Sequence, residues 1–194
     1  MVGVTWFDAI QYCRWLSEQE KVGEDQMCYG PVVVIESRVF APDPRDRGID
    51  LPRDFLTRTG YRLPTEEEWE FACRARAVTS RPYGSSKTML DQYGWYLANS
   101  EHRARPVGLL KPNDFGLFDI LGNASEWTND KAPTRLGEEL TEEERLKVWN
   151  QDRLLFRGGA ASSLPRDLRS AKRNSSQLVQ REPFMGFRVA RTQR

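Results

Sequence analysis

The clearest helix signal in the sequence is GYRLPTEEEWEFACRAR, residues 60–76. Thr65 is the predicted N-cap, because a threonine hydroxyl accepts a hydrogen bond from a free N–H group of the first turn. Glu68 completes a T-x-x-E capping box, which satisfies a second backbone donor. Spacings of three and four residues then predict one shared helical face for Trp69, Ala72, Cys73 and Arg76. A capped amphipathic helix therefore follows the polar turn directly.

A second helix is predicted close to the N-terminus. Thr5 begins the pattern T-W-F-D, and Asp8 lies near the positive end of the helix that follows. Apolar residues recur on one face of this helix, at Trp6, Ala9, Ile10, Cys13 and Leu16. The pattern ends near Glu20, which is where the helix is predicted to end.

Strand signals elsewhere are short. Residues 153–156 and 186–190 are predicted strands, and residues 168–172 are a candidate third strand. Residues 32–52 begin with a β-branched run and continue with several prolines, which predicts a hairpin or an irregular excursion.

Two longer segments lack sustained periodicity of either kind. Residues 78–114 are rich in Gly, Pro, Ser and Tyr, and residues 131–151 are strongly charged. We predict that the second segment is a surface insertion with a short helix after Thr141. Long irregular segments inside a domain commonly carry a site or wrap the core.

The composition predicts one soluble domain and excludes several classes of partner. The chain has 194 residues, and its 29 Lys and Arg nearly balance its 28 Asp and Glu. No global field therefore attracts nucleic acid or an anionic membrane. The sequence contains neither an apolar run of about 20 residues nor a secretory signal, which favours a cytoplasmic location. The three cysteines show no CxxC spacing and are interpreted as reduced core thiols, with one disulfide plus a free thiol as the alternative.

Five motifs resemble the formylglycine-generating enzyme, or sulfatase-modifying-factor, family. They are residues 60–76, KPNDFGLFDILGNASEW at 111–127, RGG at 157–159, RSAKR at 169–173 and GFRVAR at 186–191. The resemblance runs in order from Val4 to Arg191. It implies an α+β fold of the C-type-lectin-like kind, with two main helices, short twisted antiparallel strands and much irregular backbone. It also implies a single domain over 1–194 without the N-terminal section of the family. We expect either that the sequence is part of a longer protein, or that another chain or domain or a reduced core compensates.

The family's oxidation chemistry is not expected here. Active relatives bind copper through two cysteines in the loop after the paired glycines, because soft thiolates suit copper(I). This loop contains no sulfur, and Ser163 lies close to the position of the first cysteine. No copper is therefore expected. The related iron chemistry needs several histidines, and the chain has one, His102, interpreted as a solvated loop residue. A serine nucleophile would need a positioned base, which the spacing does not indicate.

DILGNASEW offers the best metal site in the sequence. Its carboxylates are hard ligands, and a tight glycine turn between them can direct carbonyl oxygens inward, as calcium prefers. The resemblance implies one structural calcium ion held by the side chains of Asp119 and Glu126 and the carbonyls of Gly122 and Ala124. The alternative is that both carboxylates cap turns and pair with arginines around Trp127. A second calcium site of the family is expected to be missing.

These observations lead to three functional hypotheses. The first is a non-catalytic domain that binds a protein or peptide as a regulatory module of a larger bacterial system. The second is a copper-dependent oxidase or a divergent enzyme in the same cleft, and the third is a ligand-display protein of the lectin-like kind. The candidate binding residues are Ser163, Arg166, Arg169, Trp95 and Tyr96. Arg157, Arg166, Arg169 and Arg173 form a candidate basic rim, with ion pairing to nearby carboxylates as the alternative. Most of the six tryptophans are expected in the core, and Trp95, Tyr96 and Trp149 are the candidates for exposed contacts.

Overall fold

A computed structural model describes residues 2–31, 48–135 and 138–193. Its four α-helices within these ranges are α1 (Trp6–Gln19), α2 (Glu66–Arg74), α3 (Leu90–Tyr93) and α4 (Glu142–Leu146). Its strands are β1 (Ile49–Asp50), β2 (Gly94–Trp95), β3 (Leu121–Gly122), β4 (Ser125–Lys131), β5 (Lys147–Val148), β6 (Arg153–Arg157), β7 (Arg173–Gln177) and β8 (Met185–Phe187). The predicted excursion at 32–52 lies mostly outside the described residues.

The predicted helix starts are confirmed. Thr5, Thr65 and Thr141 each form a reciprocal capping box with the residue three positions later. Helix α2 ends earlier than its apolar pattern suggested, because Ala75 adopts a left-handed conformation with φ 46°. Arg76 therefore lies beyond the helix and does not share the face of Trp69, contrary to the prediction.

The largest sheet has four strands in the order β7-β6-β4-β8. Strand β6 pairs antiparallel with both β4 and β7, whereas β8 pairs parallel with β4. The sheet is therefore mixed, and not purely antiparallel. Two further pairs lie outside it, β1 with β5 antiparallel and β2 with β3 parallel.

Two of the strand predictions need correction. Residues 168–172 form turns, and the third strand begins only at Arg173, which pairs with Arg157. The strand predicted at 186–190 is confirmed only in its first part. Strand β8 ends at Phe187, and Ala190 then forms an isolated bridge with Arg62.

The core consists of two apolar clusters, each built around tryptophan. Trp6 and Trp127 are fully buried in the first, and Trp69 is fully buried in the second. The indole N–H groups of Trp6 and Trp127 donate to the carbonyl oxygens of Thr128 and Val4, at 3.0 and 3.1 Å. These bonds satisfy the indole N–H of each ring, so burial of the ring leaves no unpaired hydrogen-bond donor. They also tie α1 to strand β4.

The three cysteines are buried free thiols, as predicted. Burial raises the pKa of Cys28 to about 11 and that of Cys73 to about 12, and it raises the pKa of Cys13 further still. Such thiols are inert packing residues at neutral pH. Within the described ranges, no helix is both long and apolar enough to cross a bilayer.

Candidate functional site: the loop after Gly158 and Gly159

Three segments that are distant in sequence meet at the loop of residues 158–168, which we call the Gly-Gly loop. Asn123 links two of them: its N–H donates to Trp95 O at 2.8 Å, and its carbonyl accepts from Ala161 N at 3.0 Å. The third contact runs from Leu97 N to Ser163 O, at 3.0 Å. The loop therefore lies against the segments of β2 and β3, close to Trp95.

Close backbone approach explains the glycines of this junction. Gly122 has φ +80°, and a Cβ atom there would lie 2.1 Å from the carbonyl oxygen of Trp95. Gly158 and Gly159 also adopt positive φ, at 92° and 72°. Side chains rarely adopt this conformation, so these positions require glycine. The paired glycines thus serve the chain path between β6 and the loop.

Ser163 is a turn residue whose hydroxyl is already engaged. Its Oγ accepts a hydrogen bond from Ala160 N at 2.9 Å, and its own N–H donates to Ala160 O at 2.9 Å. Within the described residues, its Oγ has no contact with a histidine, a lysine or a carboxylate that would remove its proton. A side-chain to backbone bond of this kind closes a local turn. The hydroxyl therefore stabilises the loop and is not set up as a nucleophile.

The predicted aromatic contacts divide into one half-buried and one buried residue. Trp95 is half-buried, with the Arg105 guanidinium 5.5 Å from its ring centroid. Its indole Nε1 is buried and has no acceptor in the part of the chain that the structure describes. Tyr96 is only 8% exposed and donates its hydroxyl to Asp91 Oδ1 at 2.6 Å, a bond that raises the pKa of Tyr96 to about 12. The prediction that Tyr96 offers an exposed contact is therefore wrong.

The other tryptophan predicted to be exposed, Trp149, is half-buried. The tryptophan that is exposed is Trp15, on helix α1.

Buried arginines hold the far side of the Gly-Gly loop and the turn after it. Arg157 is 3% exposed and donates to the carbonyl oxygens of Ser170 and Lys172, at 3.2 and 3.1 Å. Its charge is balanced by Glu70 at 2.6 Å and Glu66 at 3.2 Å. Arg81, equally buried, donates to Pro165 O at 2.7 Å. Together with the fully buried Leu168, these contacts fix the backbone from 160 to 172.

The exposed cations of this region are not paired in the same way. Arg166 and Arg169 are exposed and form no ion pair with any residue in the described ranges, whereas Arg173 pairs with Glu66. The predicted basic rim therefore separates into the internal clamp Arg157, the paired Arg173 and two free guanidinium groups. His102 is exposed in a turn, as predicted.

The segment predicted to hold calcium contains an arginine contact. Glu126 accepts from Arg188 through both carboxylate oxygens, at 2.5 and 2.6 Å, and from Trp69 Nε1 at 2.7 Å. Asp119 Oδ2 accepts from Gly108 N at 2.7 Å, while its Oδ1 has no hydrogen-bond partner among the described residues. No three acidic, histidine or cysteine side chains converge on one point in those residues. As placed, Glu126 is already neutralised, so calcium ligation at Asp119, Gly122, Ala124 and Glu126 requires Arg188 to leave and stays a prediction.

Sequence reasoning missed Arg81 and Arg188, and it named Arg157 only as part of a basic rim, with ion pairing to nearby carboxylates as the alternative. The structure bears out that alternative for Arg157, which pairs with Glu66 and Glu70. Arg157 and Arg81 are buried, Arg188 is half-buried, and all three contact backbone or carboxylates far away in the chain. Arg157 and Arg188 belong to the RGG and GFRVAR motifs, which was the available signal. Their burial was not deducible, because it depends on partners up to 87 residues away.

Comparison with known proteins identifies the family. The model of the sulfatase-modifying factor enzyme 1-like domain matches residues 1–193. The chaperone protein LppX of Paenibacillus barcinonensis is 28% identical over 144 residues, which are 64% of this chain and 49% of LppX. The inactive C-alpha-formylglycine-generating enzyme 2 of Bos taurus is 40% identical over 86 residues, 39% of this chain and 29% of that protein. The match thus covers about half the length of LppX and less than a third of the bovine relative.

The fold is shared with a solved structure over almost the whole chain. Treponema denticola variable protein 1 superposes with a TM-score of 0.77 at 26% identity, covering 97% of this chain and 69% of that one. Its likeness agrees with the α+β, lectin-like architecture described above. The chain belongs to the sulfatase-modifying factor enzyme 1-like, or formylglycine-generating-enzyme, family.

Proposed function

We propose that this chain is a non-catalytic member of its family that binds a protein or peptide partner through the surface around the Gly-Gly loop. The observation that carries the proposal is the loop itself, which has no sulfur and whose Ser163 hydroxyl is committed to Ala160 N. Copper(I) needs soft thiolate ligands, and a serine hydroxyl does not supply them. What remains is a fixed loop with exposed side chains, which suits recognition.

The fixed backbone supports recognition further. Binding costs less when the receptor surface is already ordered, since fewer side chains and loops lose freedom on association. The exposed residues Ser162, Leu164 and Arg166 alternate with residues that anchor the loop, such as Ala161 and Leu168. Two relatives support the two parts of the proposal: one is named a chaperone protein, which favours binding, and another is named an inactive enzyme of this family, which favours a non-catalytic role. We place the domain as a regulatory module of a larger bacterial system.

Copper titration with oxygen uptake tests the non-catalytic part of the proposal. The chain and an active family member would each receive copper(I) and a cysteine-containing peptide. We expect tight copper binding and oxygen consumption only in the active enzyme. Turnover by this chain would contradict the proposal and favour the oxidase alternative.

Site-specific photo-cross-linking tests the binding part. A photoreactive residue at position 166 lies on the Gly-Gly loop, and the same residue at position 53 lies on a different exposed surface. We expect cross-linked partner only from position 166. Equal capture at both positions would indicate nonspecific contact and would contradict the proposed surface.

A second candidate function is ligand display, which the likeness to the variable protein favours. A display scaffold tolerates replacement of its exposed loop residues, because they add little to its stability. Simultaneous replacement of Ser162, Leu164 and Arg166 would then leave thermal unfolding unchanged while the ligand preference changes. A variant that no longer folds would exclude this function.

A further inference from the structure

The turn that follows the Gly-Gly loop forms one wall of a small cationic pocket. This cavity of about 310 Å³, which we call the basic pocket, is lined by Ser80, Arg169, Ala171, Lys172 and Arg173. The turn is closed by Lys172 N donating to Arg169 O at 3.0 Å, and Ser170 N donates to Ser80 O at 2.9 Å. The lining is therefore held by backbone bonds and does not depend on a ligand for its shape.

A buried arginine determines which way the turn faces. Arg157 holds the carbonyl oxygens of Ser170 and Lys172 toward the protein interior by donating a hydrogen bond to each. The positive charge of Arg157 is itself matched by Glu66 and Glu70. The carbonyl oxygens of Ser170 and Lys172, which carry partial negative charge, therefore face inward and not toward the basic pocket. The side chains of the turn then determine the charge of the pocket.

The side chains of the pocket carry charge without internal compensation. Arg169 and Lys172 form no ion pair with any residue from 2–31, 48–135 or 138–193. Asp167, the nearest acidic residue in sequence, also makes no ion pair with them in these ranges. Arg173 contacts Glu66 but remains 55% exposed. Two to three positive groups therefore surround a cavity large enough for a carboxylate side chain.

The neighbouring surface limits the kind of anion that fits. A cavity of about 670 Å³, which we call the acidic groove, shares Ala171 and Arg173 with the basic pocket. It is lined by six carboxylates, from Glu66, Glu67, Glu70, Asp130, Glu138 and Glu139, and by five cations, from Arg74, Lys131, Arg145, Arg157 and Arg173. All of these cations except Arg145 are in ion pairs, whereas Glu67, Asp130, Glu138 and Glu139 have no ion-pair partner among the described residues. A nucleic acid strand that extended from the pocket would bring its phosphates toward these groups, within the roughly 10 Å over which charges act at ordinary salt. A short acidic stretch avoids that repulsion.

We propose that the basic pocket binds the carboxylate side chains of a short acidic segment in a protein partner. This inference rests on the proposed function and adds the chemical class of the partner. Complementary charge raises the association rate and fixes the orientation of the partner. The free Arg166 on the adjacent Gly-Gly loop extends the positive surface toward the binding face proposed above.

Peptide binding measured by fluorescence anisotropy tests the proposal. The probes are a short polyglutamate peptide and a polyglutamine peptide of the same length, both carrying an uncharged dye. The test variant is Arg169→Gln/Lys172→Gln. The matched control is Lys21→Gln/Arg53→Gln, which removes the same charge from exposed positions without ion pairs in the described residues.

We expect polyglutamate to bind and polyglutamine not to bind, with an affinity that falls as salt rises. The test variant should lose about fivefold to thirtyfold in affinity, since it removes two ion pairs with the peptide at the protein surface. The control variant should stay within about twofold of the wild type. Exchange of the two residues, Arg169→Lys/Lys172→Arg, keeps the charge and should restore most of the binding.

Three outcomes would overturn the proposal. They are no polyglutamate binding at low salt, equal losses in the test and control variants, and tighter binding of a short DNA duplex than of polyglutamate. None of these affects the proposed function, which the oxygen-uptake and cross-linking experiments decide. A partner that cross-links at position 166 and still binds the test variant would remove only the acidic-segment proposal.

Discussion

The basic pocket and the acidic groove are adjacent, yet they treat charge in opposite ways. In the acidic groove most cations are paired: Arg74 with Glu70, and Lys131 with Asp152, both at 2.7 Å. In the basic pocket Arg169 has no such partner within the described residues. A nearly neutral chain can thus present a local field where pairing is incomplete. Composition reports the sum of the charges, and the arrangement of partners decides which surface attracts a ligand.

Arg157 connects the two surfaces, and its removal should have the largest effect. In Arg157→Met, Glu66 and Glu70 lose a buried partner and the carbonyls of Ser170 and Lys172 lose their donor. Breaking a buried ion pair from one side costs about 3–5 kcal/mol. We expect a decrease of this size in the free energy of unfolding, measured by urea denaturation.

Arg173→Gln is the matched control for this experiment. Arg173 pairs with the same Glu66 but is largely exposed, so its loss should cost about 1 kcal/mol or less. Similar losses in the two variants would show that Arg157 is not a clamp. The distinction between an internal and a surface cation would then fail.

Leu168 should rank next, because it anchors the loop that carries the exposed residues. Its side chain is fully buried in the cluster around Trp69, whereas Leu164 is 39% exposed. Leu168→Ala should lower the free energy of unfolding by about 2–4 kcal/mol, through lost burial and the remaining cavity. Leu164→Ala should cost less than about 1 kcal/mol. Thermal and urea unfolding of both variants would check this, and equal costs would mean that the loop is not anchored as described.

Local features of the structure were predictable from the sequence, and the reason is physical. The capping boxes at Thr5, Thr65 and Thr141 depend on residues three positions apart, so the sequence contains all the information needed. The burial of Trp69 and Trp127 was also expected, because both lie in motifs that resemble those of the family.

Long-range features were not predictable in the same way. The third strand was placed five residues too early, because its register depends on pairing with β6 and not on its own pattern. The Arg188 contact with Glu126 spans 62 residues, so no local pattern indicated it. Tyr96 is buried because its ring packs in the cluster around Trp69, while its hydroxyl donates to Asp91, and no periodicity indicates either contact. The motifs indicated where the proposed binding face lies, but the charge balance of that face depends on ion-pair partners that are distant in sequence.

Asp130 offers a way to change the acidic groove without altering its shape. Its carboxylate accepts from Glu66 N at 2.5 Å, and burial raises its pKa from 3.8 to about 6. The folded state therefore holds this proton more tightly than the unfolded state. The resulting stability is fully present below about pH 4 and is lost as the pH rises through 6.

Asp130→Asn should remove this dependence. The free energy of unfolding of the variant, relative to the wild type, should shift in favour of the variant by about 1–3 kcal/mol between pH 4 and 7. Urea unfolding across this range measures the shift. Asp114→Asn, at an exposed position, is the control and should follow the wild type. A constant difference between Asp130→Asn and wild type at all pH values would contradict the assignment.

The smallest effect concerns the predicted calcium site. Its carboxylate Glu126 is already paired with Arg188, just as Glu66 and Glu70 of the acidic groove are paired with Arg157. Arg188 and calcium compete for Glu126, so Arg188→Gln should bind calcium about tenfold more tightly than the wild type, a gain of about 1.4 kcal/mol in binding free energy. Titration calorimetry with calcium chloride measures this on the folded proteins. The double variant Glu126→Gln/Arg188→Gln removes the shared ligand and should lose the response. Equal binding by wild type and Arg188→Gln would show that Glu126 is not a ligand, and no binding by either would leave the arginine pair as its whole role.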